Sequence, residues 1–206
     1  MKTFINTIII ISVLCGMVVF AQNDDTLQKV LVIDAGHGGI DSGGIAKNGI
    51  LEKDVVLDIA IAMEHWNKEL LDSKYNIYLT RSSDTLISLS DRTKMAKHIK
   101  PDIFISLHCN HAPNKKANGV EVYTYGNENI SLEHGHHILT QLSSKLGFKM
   151  REPKRGNFQV LREAHGKYPA LLLELGYLSN MDESGYLIDR KNRKILALAI
   201  LMAIKI

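Results

Sequence analysis

LVIDAGHGG, residues 31–39, passes within nine positions from an apolar, β-branched run into a histidine set among glycines. A short run of that kind suits a strand buried on both faces of a parallel sheet. Gly36, Gly38 and Gly39 allow a sharp backbone turn and leave space for something to approach. The stretch therefore reads as a strand that delivers the imidazole of His37 just beyond its carboxyl end.

The same strand signal recurs as VLVIDA (30–35), NIYLT (76–80), DIFISLH (102–108), GVEVYTY (119–125) and ALLLELG (170–176). Helical periodicity lies between these runs. After the Asn48-Gly49 turn, Val55, Val56, Ile59, Ala60 and Met63 share one face of a helix expected from about Glu52 to Leu71. Others are expected over 88–99, 130–146 and 190–203. Alternating strands and helices imply an α/β architecture, a single domain with helices on both faces of a mostly parallel sheet.

Residues 1–21 read as a secretory leader: Lys2 precedes an apolar run from Ile8 to Phe20, and Ala21 offers a small residue before a cut at Gln22. The run is shorter than the roughly 20 residues that span a bilayer, so no stable span is expected after cleavage. Residues 22–206 are then expected to form one catalytic or binding domain, and no cell-wall-binding repeat is expected on either side of it. The net charge is +3, and one unit leaves with Lys2, so no electrostatic pull toward nucleic acid is expected. Cys15 also leaves with the leader. Cys109 remains alone, without an intramolecular partner.

In sheets of this class, ligands bind outside the carboxyl ends of the strands. His37 and His108 each end a strand there, Glu174 ends ALLLEL, and Glu52 opens the helix after the first strand. Two histidines and two glutamates from four elements thus meet at one rim. Two imidazoles and one carboxylate are a common donor set for catalytic zinc, which leaves a second carboxylate to act as base. The spacing is not the HExxH helix pattern; convergence, rather than any one histidine, carries the reading.

DAGHGGIDSGG followed by Glu52, then YLTRSSD, DIFISLHCN, NGVEVYTY, GNFQVLR and LLLELGYLSN, resemble in order and wording the zinc-dependent N-acetylmuramoyl-L-alanine amidases of bacterial cell walls. The resemblance covers nearly the whole chain after the leader. It implies a mixed central sheet, Zn²⁺ held by His37, Glu52 and His108, Glu174 as the catalytic base, and a periplasmic or cell-envelope location. The implied substrate is peptidoglycan or a soluble muropeptide, cut between the lactyl group of N-acetylmuramic acid and L-alanine, and the chain is expected to be a monomer. Two departures stand out. SLHCNHA carries Cys109 and His111 where small residues are usual. The stretch from Tyr125 to Asn157 is too short for the regulatory helical insertion of some relatives, so autoinhibition by it is not expected, although an activator protein stays open as a partner.

Strand alternation turns Cys109 away from His108, toward the core. His134, His136 and His137 are expected on a solvated helix face. Asp34 is expected to orient a ligand imidazole, while Arg81 and Arg92 are expected to pair with Asp84 or Asp91. Lys149, Arg151, Lys154 and Arg155 form a basic run that is either a solvated loop or a contact for stem-peptide carboxylates. Glu121 is the alternative base. A zinc carboxypeptidase would share the metal logic but needs an arginine at a terminal carboxylate, a role open to Arg151 or Arg155. A binding module without catalysis would not need all four rim residues.

Overall fold

Why the rim residues meet is answered by the order of the strands. The structure, a computed structural model, describes residues 28–126 and 129–206; the leader expected at 1–21 lies outside the described residues. Along the chain run β1 (Lys29–Ala35), α1 (Glu52–Leu70), β2 (Tyr75–Leu79), α2 (Leu89–Ile99), β3 (Ile103–Asn110) and β4 (Glu121–Thr124). There follow α3 (Asn129–Leu146), β5 (Lys154–Arg155), α4 (Gln159–Ala164), β6 (Ala170–Tyr177), α5 (Met181–Ile188) and α6 (Arg190–Ala203).

The six strands form one sheet in the order β2-β1-β3-β6-β4-β5. β1, β2, β3 and β6 are mutually parallel, β4 runs antiparallel to β6, and β5 pairs parallel to β4. The sheet is therefore mixed and mostly parallel, as expected. Central β3 is buried at six of its eight positions, which is why DIFISLH reads as an apolar run rather than an alternating one.

Side-chain alternation divides the interior into two cores. On one face Leu31, Ile33, Ile105 and Leu107 pack with α1, α3 and α6. On the other Val32, Phe104 and Leu172 pack with Ala96 of α2 and with Val160 and Leu161 of α4. The second face also carries Asp34, Ser106, His108 and Glu174, because period-two alternation keeps them with Val32, Phe104 and Leu172. Cys109 falls on the first face and is buried there as a free thiol whose pKa burial pushes well up.

The four expected helices are present with nearly the expected bounds, and α1 buries Val55, Val56, Ile59, Ala60 and Met63 together. β5, α4 and α5 were not anticipated. Two and six residues are too few for β5 and α4 to display a period. α5 did carry a signal: Asn180 caps it by accepting from the backbone N–H groups of Asp182 and Glu183, and those two acids favour the positive end of the helix. The pairing of β3 with β6 also shifts between His108 and Asn110, since His108 pairs with Glu174 but Asn110 with Tyr177. Gly176, at φ 117°, supplies the left-handed residue of this bulge, immediately beside the rim.

Candidate functional site

Three elements deliver the cluster that the sequence placed at the rim. Nε2 of His37 lies 3.0 Å, and Nδ1 of His108 2.9 Å, from Oε1 of Glu52. Glu52 can reach both because it opens α1 on one side of the sheet and its carboxylate leans over the strand ends. Cys109 N–H donates to Oε1 at 3.0 Å and Gly44 N–H to Oε2 at 2.8 Å, so both oxygens are fixed in place.

The His37 imidazole owes its direction to an unusual backbone. His37 itself has φ 57°, followed by Gly38 at 125° and Gly39 at 59°. A left-handed conformation at a side-chain-bearing residue is costly and has to be held by its surroundings. Two buried arginines do the holding. Arg81 donates to the carbonyls of Ala35 (2.9 Å) and Gly36 (2.7 Å), while Arg92 donates to those of Ala35 (2.6 Å) and His37 (2.6 Å). Arg92 also pairs with buried Asp34 at 2.5 Å, and Thr80 and Ser106 donate to the same carboxylate.

The structure departs from two expectations. Asp34 touches neither imidazole; it anchors Arg92, and the carboxylate that orients His37 is Asp41, 2.8 Å from Nδ1. Nor do Arg81 and Arg92 form their ion pairs with Asp84 and Asp91. Lys53 takes Asp84 at 2.7 Å and Lys94 takes Asp91 at 3.3 Å, leaving both guanidiniums for the turn carbonyls. The signal for Asp41 was its place in the same glycine-rich loop as His37, where chain reversal brings positions four apart together.

The electrostatics favour a positive guest. Burial alone would raise the Glu52 carboxyl and depress the His37 imidazolium. Hydrogen bonding and charge from His108 and His37 instead hold Glu52 well below the carboxylate range, and Glu52 and Asp41 lift His37 to about 9. His37, Glu52 and His108 each offer one donor atom, all within 4.8 Å of one another, a nitrogen, nitrogen and oxygen set that suits zinc. Space is kept for it by glycine. A Cβ on Gly36 would lie 2.3 Å from the His108 ring, and one on Gly43 2.6 Å from both His37 and Glu52.

Glu174 stands next to this cluster, paired in register with His108. Its Oε2 is buried without a hydrogen-bond partner. Burial, reinforced by the anions Glu52 and Glu121 and opposed by His108 and His37, pushes its carboxyl up to about 7. A cavity of about 360 Å³, walled by Leu86, Leu89 and Phe158, opens onto Glu174 and both histidines. Glu121 faces Glu174 from β4 but is enclosed. It accepts from the hydroxyls of Tyr177 (2.5 Å) and Tyr123 (2.9 Å) and is paired with Lys154 (3.0 Å) and Arg151. With its lone pairs so engaged, Glu121 is not a ready proton acceptor. His136 is exposed, and among the described residues the histidines of α3 join no group that could hold a metal.

A family model described as N-acetylmuramoyl-L-alanine amidase matches residues 31–206. The endolysin of Bacillus phage SPP1 is 38% identical over 169 residues, covering 78% of this chain and 59% of its own length. The chain thus spans a little under three fifths of the length of the curated relatives it matches. The catalytic domain of CwlV, an N-acetylmuramoyl-L-alanine amidase from Bacillus (Paenibacillus) polymyxa var. colistinus, superposes with a TM-score of 0.77 at 35% identity, covering 85% of this chain and 95% of that one. The CwlD amidase of Clostridioides difficile, solved in complex with the GerS lipoprotein, gives a TM-score of 0.75 at 26% identity with the same coverage.

Proposed function

The chain belongs to the N-acetylmuramoyl-L-alanine amidase family, and from that premise we propose that it hydrolyses the amide joining the lactyl group of N-acetylmuramic acid to L-alanine in peptidoglycan. His37, Glu52 and His108 hold Zn²⁺ in this reading, and residues 22–206 form the catalytic domain. Residues 1–21 are the leader that carries it to the periplasm or cell envelope, where the substrate is. Among the described residues no helix is long and apolar enough to cross a membrane.

The observation that carries the proposal is Glu174: a buried carboxylate with an unpartnered oxygen, a pKa near 7, and a place beside a donor set that fits zinc. Zinc bound there supplies a Lewis acid for the carbonyl and lowers the pKa of water toward about 7. The rest is done by the chain. Glu174 takes a proton from the attacking water and passes it to the departing nitrogen, a role matched to a carboxyl whose pKa lies near the working pH. Asp41 keeps the His37 ring turned toward Glu52. Arg81 and Arg92 fix the carbonyls of the turn so that His37 does not relax out of its left-handed conformation.

Digestion of purified sacculi, with no second protein added and the products read by mass spectrometry, tests this. Free stem peptides and intact glycan are expected. Shortened stem peptides would instead identify a peptidase. His108→Ala is expected to release nothing and to contain no stoichiometric zinc, because one of three protein donors is lost. Full zinc and normal release by that variant would overturn the assignment.

A further inference from the structure

The basic run of residues 149–155 is left unused by the amide chemistry, and its placement is specific. Glu174, Glu121 and Lys154 lie on one face of three successive strands: Glu121 pairs with Glu174, Tyr123 shares the face of Glu121 two residues on, and Lys154 pairs with Tyr123. Arg155 pairs with Thr124 and falls on the opposite face. Arg151 reaches the same spot from the preceding loop, which is tied down by the hydrogen bonds between Val120 and residues 149 and 151.

Glu121 is fully buried, whereas the side chains of Arg151 and Lys154 keep 32% and 42% of their surface. One carboxylate therefore tethers two cations whose outer surfaces stay in water. Against Glu121 alone the two cations leave one positive charge over, and Glu183 also faces Arg151. Both cations are further steadied over aromatic rings, Arg151 at 5.5 Å from the centre of Tyr177 and Lys154 at 5.6 Å from that of Tyr123. Arg151 spends one terminal nitrogen on the carbonyl of Asn118 at 3.2 Å. Arranging two cations in this way beside the base would serve no purpose in holding zinc.

We propose that Arg151 and Lys154, positioned by Glu121, form a subsite for a carboxylate of the stem peptide. The proposal rests on the amidase reading and names which half of the substrate lies over β4 and β5. Neighbouring strands are about 4.8 Å apart, so the backbone of Glu121 lies about one strand spacing from that of Glu174, and the backbone of Lys154 about two spacings across and two residues along, with its ammonium reaching back to Glu121. An extended peptide advances about 3.3–3.6 Å per residue. An acid group carried by the second or third residue of the stem thus reaches the pair when the scissile amide sits at Glu174. The glycan half offers no such group, because the one carboxyl of muramic acid is consumed in the amide itself. Tethering the cations in advance also lowers the ordering cost of binding.

The test uses N-acetylmuramoyl-L-alanyl-D-glutamic acid and its diamide as substrates, together with NMR titration of the free peptide L-alanyl-D-glutamic acid and of its diamide. The parent chain is expected to prefer the acid over the diamide about tenfold to a hundredfold in kcat/KM, in line with a charge-assisted hydrogen bond. Arg151→Gln and Lys154→Gln are each expected to bring that ratio down toward one. Arg155→Gln, on the other face, is expected to keep it. Thermal midpoints are taken on the same preparations: a variant that melts earlier yet retains the preference would reduce the cluster to a structural role and overturn the subsite. Equal binding of the two free peptides by the parent would overturn it as well. A parent that binds the acid peptide better but cleaves neither substrate would leave the subsite standing and sink the amidase reading. Cleavage of both with equal efficiency and equal binding would do the reverse.

Discussion

Glu121 and Glu174 face each other across adjacent strands, on the same side of the sheet, and the chain treats them in opposite ways. Around Glu121 two tyrosine hydroxyls and two cations converge, and their hydrogen bonds outweigh its burial and hold the carboxyl below its ordinary range. Around Glu174 one oxygen has no donor at all, and burial lifts the carboxyl to about 7. Identical side chains a strand apart thus become a fixed anion and a titrating group, decided by which donors the neighbouring loops supply. A saturated carboxylate organises its surroundings, whereas a bare one is available for chemistry.

The sharpest way to break this contrast is Glu174→Gln. Gln keeps size and polarity but cannot take a proton, so turnover is expected to fall about 10²- to 10⁴-fold while zinc content stays near that of the parent and the thermal midpoint does not fall. Near-normal hydrolysis by a folded, zinc-loaded variant would remove Glu174 from the mechanism.

A second, smaller effect follows from its pKa. Folding raises this carboxyl from 4.5 to about 7, so between those pH values the folded state binds more protons than the unfolded one, and stability falls as pH rises. For the metal-free protein the contribution present below about pH 4.5 and lost by about pH 7 is on the order of 3 kcal/mol. Denaturant unfolding across that window, compared between the parent and Glu174→Gln, reads it as a difference in slope. Parallel curves would mean that Glu174 keeps its ordinary acidity.

Glu121→Gln is expected to act on stability first. Withdrawing the anion from Arg151, Lys154 and the two tyrosines costs about 1–3 kcal/mol, seen as a lower thermal midpoint. If the midpoint does not move, the cage around Glu121 contributes nothing and the contrast with Glu174 loses one of its sides.

Local sequence pattern accounts for much of the fold and for the centre of the site. VLVIDA and DIFISLH are continuous apolar runs because their strands are buried on both faces, and residues 52–71 show a helical stripe because one face meets the sheet. Such patterns are written by neighbours within a few residues, and a strand's end fixes where its last side chain must emerge. That placed His37, His108, Glu52 and Glu174 at one rim, where the structure puts them. The partners of these groups, by contrast, are set by contacts between distant parts of the chain. Asp34 binds Arg92, 58 positions away, rather than an imidazole; Asp41 takes His37; Glu121 gathers groups as far as Tyr177. An ion pair between distant residues depends on strand register and on a bulge at Gly176 that no local period announces. Local periodicity determines which surface a side chain meets, but the donor waiting on that surface arrives from elsewhere in the chain.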